Sequence, residues 1–313
     1  MRSPFARFAW QLLGSVTLPV LGVACGGAAA AAGDATSPEP EHAAPTAEKE
    51  PRGDGELDSL QALRARLQKP LGEKELDLAA KGWGAALGSA LGEAETLDGL
   101  ETLDVSDNDL GPEGARGLLG SRHLGGLLSL DLGGNEIGDD GAAALAAGKL
   151  EQLTSLNLSG NGIGPSGAKA LGKSRGYPAL ASLDLSMNPI GAEGVKALGS
   201  SGFPKLSALF LLGSEIGADG AKALSKTSLK LRTLALSGNS IGDAGAKALA
   251  ASAKLSSLST LDLSANGIGD AGAKALAASP HLKGLTKLEM FANELTPAGK
   301  AALSKRFGDA VKL

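Results

Sequence analysis

One stretch of the chain has the glycine spacing of a phosphate-binding turn. Residues 267–272, GIGDAG, fit the pattern G-x-G-x-x-G, after the strand-like LDL at 261–263 and at the start of the helix-like GAKALA at 272–277. Such a turn lets the backbone approach a pyrophosphate and presents N–H groups of a helix N-terminus to it. The local sequence therefore allows two alternatives, a nucleotide site or a structural turn.

Acidic residues recur at a second set of regularly spaced positions. Each lies in a short strand-like segment, most often between two leucines, and the series is interrupted at Asn157, Phe210 and Ala235. On neighbouring parallel strands these side chains would form a column on one sheet face, which could attract a basic partner or a cation. The alternative is that LDLS is part of the consensus sequence of a repeat and that its carboxylates are simply solvated. The acidic positions are Asp77, Asp104, Asp131, Asp184, Asp262 and Glu289.

The segment LSALFLLGSEIG at 206–217 departs from this consensus sequence. It places Phe210 and Leu212 at outward positions, beside Met187 of the preceding unit, and Ser214 where the other units have Asn. Large apolar side chains on a polar face predict a contact hot spot. The alternative is a degenerate unit with locally shifted packing. The predicted ligand-binding residues are Phe210, Leu212, Met187, Asp184, Asp262 and Glu289.

The other residues capable of chemistry do not form a recognisable set. The three histidines, His42, His123 and His281, are scattered outside the strand-like segments, so neither a His-rich metal site nor a Ser-His-Asp arrangement is predicted. A net charge of −4 leaves no electrostatic footprint for nucleic acid. We therefore predict no catalytic residue, no metal and no cofactor, and a protein that is not an enzyme.

A repeat of 25 to 27 residues explains most of these patterns. The repeated unit reads L-x-x-L-x-L-x-x-N-x-I-G-x-x-G-A-K-A-L-A, which predicts a strand, a turn at Asn and Gly, and a short helix. Only 3% of residues are aromatic and 46 are glycine, so the core must be built from small and aliphatic side chains. The unit begins at Leu100, Leu127, Leu153, Leu180, Leu206, Leu231, Leu258 and Leu285.

This unit resembles the leucine-rich repeat family in its ribonuclease-inhibitor-like class, and GAKALA is similar to the GALA-type bacterial repeats. The resemblance implies an α/β fold, a right-handed solenoid or horseshoe with a parallel concave sheet, convex helices and an asparagine ladder. It also implies protein binding through the concave face, and some members of the class activate GTPases. Because IGxxG or a close variant recurs in all eight units, the structural alternative for residues 267–272 is favoured.

The N-terminus has the layout of a secretory signal. Arg2 and Arg7 precede an apolar run, and LGVACGG at 21–27 resembles a bacterial lipoprotein signal, which implies lipidation of Cys25. Cleavage near Ala24 or among residues 28–32 is the alternative. Gly26 resembles the residue of signals that permit outer-membrane sorting. Residues 26–56 are rich in alanine, proline and charged residues, and this composition predicts a disordered tether.

These patterns predict five segments. They are a signal peptide at 1–24, a lipidated cysteine and linker at 25–56, a cap helix and worn repeat at 57–99, eight repeats at 100–303, and a polar cap or tail at 304–313. The predicted function is that of an exported, lipid-anchored monomer in the bacterial cell envelope that binds a protein partner. The alternatives are a secreted or periplasmic protein, a passive envelope scaffold, and a regulator of a GTPase.

Overall fold

Ten parallel strands form one sheet in the part of the chain that the structure describes. The computed structural model describes residues 59–199 and 202–313. The strands pair strictly in chain order, each with the next. They are β1 (Glu75–Asp77), β2 (Thr102–Asp104), β3 (Ser129–Asp131), β4 (Ser155–Asn157), β5 (Ser182–Asp184), β6 (Ala208–Phe210), β7 (Thr233–Ala235), β8 (Thr260–Asp262), β9 (Lys287–Glu289) and β10 (Val311–Lys312).

A helix joins each strand to the next, and one further helix precedes β1. Consecutive helices pack against each other from α2 to α10. This alternation of parallel strands and helices confirms the predicted solenoid. The helices are α1 (Leu60–Arg66), α2 (Ala85–Gly92), α3 (Gly111–Leu119), α4 (Gly138–Ala147), α5 (Pro165–Lys173), α6 (Gly191–Leu198), α7 (Gly217–Leu224), α8 (Gly242–Ala250), α9 (Asp270–Ala278) and α10 (Pro297–Phe307).

The core lies between the sheet and the helices and consists mainly of leucine. In β2 to β8 the central residue is buried while its two neighbours are half-exposed, as the alternation along a strand requires. Burying one such side chain contributes about 1.5–3 kcal/mol. The predicted helix leucines are all buried, which confirms that they face the sheet: Leu118, Leu145, Leu171, Leu198, Leu224, Leu249, Leu276 and Leu303.

An asparagine ladder closes the turn that follows each strand. The Asn135 side-chain nitrogen donates to the Val105 carbonyl of the preceding coil at 2.9 Å. The Asn135 side-chain oxygen accepts from the backbone N–H groups of Asn108 at 3.0 Å and Leu110 at 3.3 Å. Each asparagine thereby satisfies buried backbone groups of two coils, as the resemblance implied. At Ser214 the ladder changes, because a buried hydroxyl donates to the Leu185 carbonyl at 3.2 Å.

The second glycine of each IGxxG phrase lets adjacent helices approach closely. A β-carbon added to Gly245 would lie 2.9 Å from the β-carbon of Ala221 in the preceding helix, closer than such atoms normally come. The same glycine also packs over Ile241 of its own turn. Glycine is therefore needed at this position because the adjacent coils lie close together, and not because the backbone has a special dihedral angle.

Both ends of the array carry a covering element. The predicted N-terminal cap helix is present as α1, and its Leu63 is fully buried in the common core. Leu67, directly after the helix, is also buried, with 3% of its surface exposed. At the other end the sequence predicted only a polar cap or tail. Instead Val311 is buried and pairs with Leu288 in the tenth strand, so the last residues extend the sheet by one strand.

Candidate functional site

The glycine motif at 267–272 is a turn whose N–H groups already have an acceptor. Gly267 has a φ of +63°, which favours glycine, whereas Gly269 has a φ of −94° and caps α9. The Asp243 carboxylate of the preceding coil accepts hydrogen bonds from the Gly269 nitrogen at 2.9 Å and the Gly272 nitrogen at 2.8 Å. These are the groups that a phosphate would need, so the motif is a structural junction between coils.

Two other helices begin in a similar way. The Asp139 carboxylate accepts from the Gly164 nitrogen at 2.7 Å and the Gly167 nitrogen at 2.8 Å, at the start of α5. In the last coil Asp270 accepts from the Thr296 nitrogen at 3.0 Å and hydroxyl at 2.6 Å. The hydroxyl hydrogen bond from Thr296 is the main reason why the pKa of Asp270 is lowered. Gly164 and Gly269 have an extended backbone, with φ of −95° and −94°, so a left-handed conformation does not account for glycine at these two positions.

The acidic column predicted on the sheet face is present. In the register of the sheet, Asp104 lies opposite Asp131, Asp184 lies opposite Phe210, and Asp262 lies opposite Glu289. The column faces away from the helices, because its members flank the buried central leucines. The structure therefore brings Asp184, Phe210, Asp262 and Glu289 together in one row, with Asn157 and Ala235 as the other interruptions.

The aspartates of this column also have a structural role that the sequence analysis missed. Each accepts a hydrogen bond from the backbone N–H two residues further on, which fixes the chain as it leaves the strand. Asn157 makes the same bond to Ser159 at 2.9 Å, so the role needs an oxygen acceptor rather than a charge. The bonds run from Ala79 to Asp77 at 3.0 Å, Ser106 to Asp104 at 2.9 Å, Gly133 to Asp131 at 2.9 Å, Ser186 to Asp184 at 2.8 Å, and Ser264 to Asp262 at 2.9 Å.

Two carboxylates of the column are less solvated than expected. Burial raises the pKa of Asp131 and of Asp184 above the ordinary value, although hydrogen bonds from Gly133, Asn157 and Ser186 partly oppose the rise. Both side chains are half-buried at the sheet surface. The alternative in which the carboxylates of the column are simply solvated therefore does not describe these two positions.

The last acidic residue of the column has a cation beside it. Glu289 lies 3.1 Å from the Lys287 nitrogen, and only 25% of the Glu289 side chain is exposed. Among the residues that the structure describes, no lysine or arginine forms such an ion pair with Asp104, Asp184 or Asp262. The negative charge of the column is therefore least compensated away from Glu289.

An apolar patch interrupts the polar sheet face at β6. We define the apolar patch as Met187, Phe210, Leu212 and Ala235. Phe210 and Leu212 are half-buried, and Met187 is 48% exposed. The Met187 nitrogen donates to the Leu212 carbonyl at 2.6 Å, and the Met187 sulfur lies against Gly213, so the two coils hold these side chains side by side. The three predicted hot-spot residues are thus neighbours on one face.

Two further exposed apolar side chains were missed in the sequence. Phe291 is 47% exposed and follows β9, at the position that Leu212 holds after β6. Leu128 is 38% exposed and directly precedes β3. The alternation of inward and outward positions could have identified Phe291, because it follows the inward Met290, which is buried.

The histidines in the described part do not assemble a chemical site. The His123 ring nitrogen lies 3.1 Å from a carboxylate oxygen of Asp98, and neither residue belongs to a strand. Within residues 59–199 and 202–313, no group of three His, Cys, Asp or Glu side chains is arranged to hold a metal ion. His42 and Cys25 lie outside the described residues, as do the predicted signal and tether. In the described ranges no helix combines the length and apolar character needed to span a membrane.

Comparison with family profiles agrees with the repeat geometry. A family profile described as a leucine-rich repeat matches residues 100–119, 127–146, 151–172, 180–199, 227–250 and 254–277. No curated protein matches in sequence. An internalin from Listeria monocytogenes is similar in structure, with 18% identity over 82% of this chain and 95% of its own, and a TM-score of 0.33.

A second similar structure is TLR13 in its complex with ssRNA13. It has 23% identity and a TM-score of 0.45, and the match covers 71% of this chain. This chain spans 33% of the length of that TLR13 chain. The six sequence matches, each falling on one strand–turn–helix unit of the solenoid, carry the assignment: the chain belongs to the leucine-rich repeat family.

Proposed function

We propose that this protein binds a protein partner on the open face of its sheet and has no enzymatic activity. Leucine-rich repeat proteins generally mediate protein–protein interaction, and repeat scaffolds of this family are typically non-enzymatic. The observation that carries the proposal is the apolar patch, in which Met187 is 48% exposed beside Phe210 and Leu212 on a sheet face that is polar at most of its other outward positions. Apolar and aromatic anchors surrounded by polar groups are typical of contact hot spots.

Capture of a partner by the full chain tests this proposal. A stoichiometric partner from envelope extracts is expected for a binding protein, whereas a passive scaffold gives none. Phe210→Ala and Met187→Ala should each weaken the captured complex about fivefold or more, as hot-spot truncations do. Leu128→Ala is the matched control, because Leu128 is exposed but lies outside the apolar patch.

The same experiment requires a stability measurement. Because about half of Met187 is exposed, its truncation should change the free energy of unfolding by no more than about 0.5 kcal/mol. Unchanged affinity in both variants would rule out the contact role. A loss of several kcal/mol in folding stability for Met187→Ala would instead assign it to packing.

We further propose that the chain is exported and anchored to the bacterial envelope by lipid on Cys25, with the outer membrane favoured. The support is the sequence of residues 1–26 alone, with its arginines, short apolar run and single cysteine. The test compares the mass and membrane fraction of the wild-type chain and Cys25→Ala. A variant that stays membrane-bound and shows the same mass shift as wild type would overturn lipidation.

A further inference from the structure

The charges around the apolar patch restrict which partners can bind there. Phe210 lies next to Asp184 on one side, while Ala235 separates it from Asp262 on the other. Neighbouring strands are about 4.8 Å apart, so the two carboxylates lie about 14 Å apart across the strands, with the apolar patch between them. The sheet face thus presents an acidic, apolar, acidic series in that order.

These two aspartates differ from Glu289 and Asp131 of the same column. Glu289 already has Lys287 at 3.1 Å, and both carboxylate oxygens of Asp131 accept hydrogen bonds from the Asn157 amide at 3.0 Å. Asp262 accepts one backbone hydrogen bond, Asp184 accepts one from the Ser186 nitrogen and interacts with the Ser186 side chain, and no described cation forms an ion pair with either carboxylate. A half-buried carboxylate beside apolar surface is stabilised by an incoming cation more than a fully solvated one.

We propose that the occupant of this face is an extended segment of a partner protein with the pattern cation, any residue, large apolar residue, any residue, cation. The inference rests on the proposed function and names the chemistry of its partner. The apolar side chain packs on Phe210 and Ala235, and the two cationic side chains pair with Asp184 and Asp262.

The spacing of an extended segment fits these three contacts. Residues i, i+2 and i+4 of a strand point to the same side and span about 13 Å, close to the separation of about 14 Å between the two aspartates. The middle side chain then falls about 6.6 Å from the first, between the strand of Phe210 and the strand of Ala235. A segment that crosses the strands can make all three contacts at once.

A synthetic peptide tests the pattern directly. The probe is a fluorescent peptide with Lys-Ser-Leu-Ser-Lys between Gly-Ser flanks, titrated by anisotropy against the full chain at low salt. Peptides with Glu in place of both Lys residues, or with Ser in place of Leu, are the sequence controls. We expect the probe to bind measurably more tightly than both controls, and its binding to weaken as salt screens the charges. Failure of the probe to bind wild type, or equal binding of all three peptides, overturns the proposal.

Variants of the protein separate the contributions. Asp184→Asn and Asp262→Asn remove charge but keep the turn-closing acceptor, as Asn157 does naturally. Each should weaken probe binding about two- to fivefold, the range of exposed ion pairs. Asp104→Asn is the matched control, since Asp104 makes the same turn three strands away from Asp184, and it should leave binding unchanged. Equal effects of Asp104→Asn and Asp184→Asn would contradict specific pairing.

The outcomes also distinguish this inference from the proposed function. If a captured natural partner depends on Phe210 and Met187 but not on Asp184 or Asp262, the basic pattern is wrong and partner binding stands. If none of the four residues affects any partner, both proposals fail. If the same face binds a second copy of this chain, sedimentation will show a concentration-dependent dimer that Phe210→Ser dissociates, and that result also overturns the inference.

Discussion

The carboxylate of Asp243 accepts a hydrogen bond from the Gly272 nitrogen at 2.8 Å, so one coil caps the helix of the next. The same oxygen accepts from Gly269 at 2.9 Å. A helix N-terminus attracts negative charge because its first N–H groups lack partners within the helix. Here the negative group is a side chain of the protein itself, which explains how a glycine pattern typical of phosphate-binding turns serves as a structural turn between coils.

Removal of one such carboxylate should loosen the junction between two coils. Asp139→Ala leaves the Gly164 and Gly167 nitrogens without their acceptor, and we expect the free energy of unfolding to fall by about 1–2 kcal/mol. Asp140→Ala is the matched control, because Asp140 is exposed in the same helical turn. Urea denaturation at neutral pH measures both variants. Equal losses would mean that charge near the helix N-terminus matters and the hydrogen bonds do not.

The asparagine ladder should be strengthened at the coil where it changes. Ser214→Asn would supply the side-chain oxygen that elsewhere accepts two backbone N–H groups of the preceding coil, and we expect a gain of about 0.5–1.5 kcal/mol. The reverse change, Asn161→Ser, removes the acceptor of the Asn135 nitrogen at 3.1 Å and should cost about 1–3 kcal/mol. Loss of stability in Ser214→Asn, measured by chemical denaturation, would show that this coil is shaped around the smaller side chain.

Most of the fold could be predicted because each coil repeats the same short-range physics. The inward leucines, the ladder asparagines and the helical leucines are fixed by periods that can be counted in the sequence. The tenth strand was missed because KRFGDAVKL carries no repeat phrase, and only the edge of β9 makes Val311 a strand residue. Contacts between coils, such as Asp243 to Gly269, join residues 26 positions apart and have no signature within one unit.

The candidate site was predictable in position but not in environment. Alternation along the strand placed Phe210 and Asp184 on the outward face, and the register of the sheet has them side by side. What could not be predicted is that the aspartates close turns, or that Lys287 compensates Glu289 while Asp184 and Asp262 have no such neighbour among the described residues. Those differences depend on side-chain contacts between coils rather than on residue type.

One backbone position in each coil predicts an easily gained stabilisation. The residue before the ladder asparagine has a positive φ in every coil of the described array; it is glycine at Gly134, for example, but alanine at Ala265, where φ is 54°. A left-handed conformation costs a residue with a β-carbon about 1–2 kcal/mol. Glycine avoids this cost in the folded chain, but it loses more conformational entropy on folding, so only part of the cost is recovered. Ala265→Gly should therefore raise the free energy of unfolding by about 0.5–1 kcal/mol.

A second alanine provides the control for this prediction. Ala271 is exposed like Ala265 but lies in the first turn of α9, so Ala271→Gly should lower stability by about 0.5–1 kcal/mol. The midpoints of thermal and urea unfolding should shift in opposite directions in the two variants. A decrease in both would show that the turn before the asparagine tolerates alanine without strain.

The raised pKa of Asp184 predicts how stability changes with pH. Burial favours the protonated carboxyl in the folded chain, whereas the unfolded chain has the ordinary pKa near 4. Above the raised folded pKa both states are ionised, and the wild type carries the full cost of a half-buried charge. Below the ordinary value both are protonated and no cost remains. The cost therefore disappears as pH falls through the interval between the two values.

Asp184→Asn makes this dependence measurable. The variant keeps the acceptor for the Ser186 nitrogen, as Asn157 does for Ser159, but has no charge to bury. At pH 7 it should be more stable than wild type, and the difference should shrink on acidification and vanish below the ordinary carboxyl pKa. Urea midpoints at a series of pH values from 7 down to about 3.5 follow the difference. A difference that grows as pH falls would mean that the ionised carboxylate stabilises the turn more than burial opposes it.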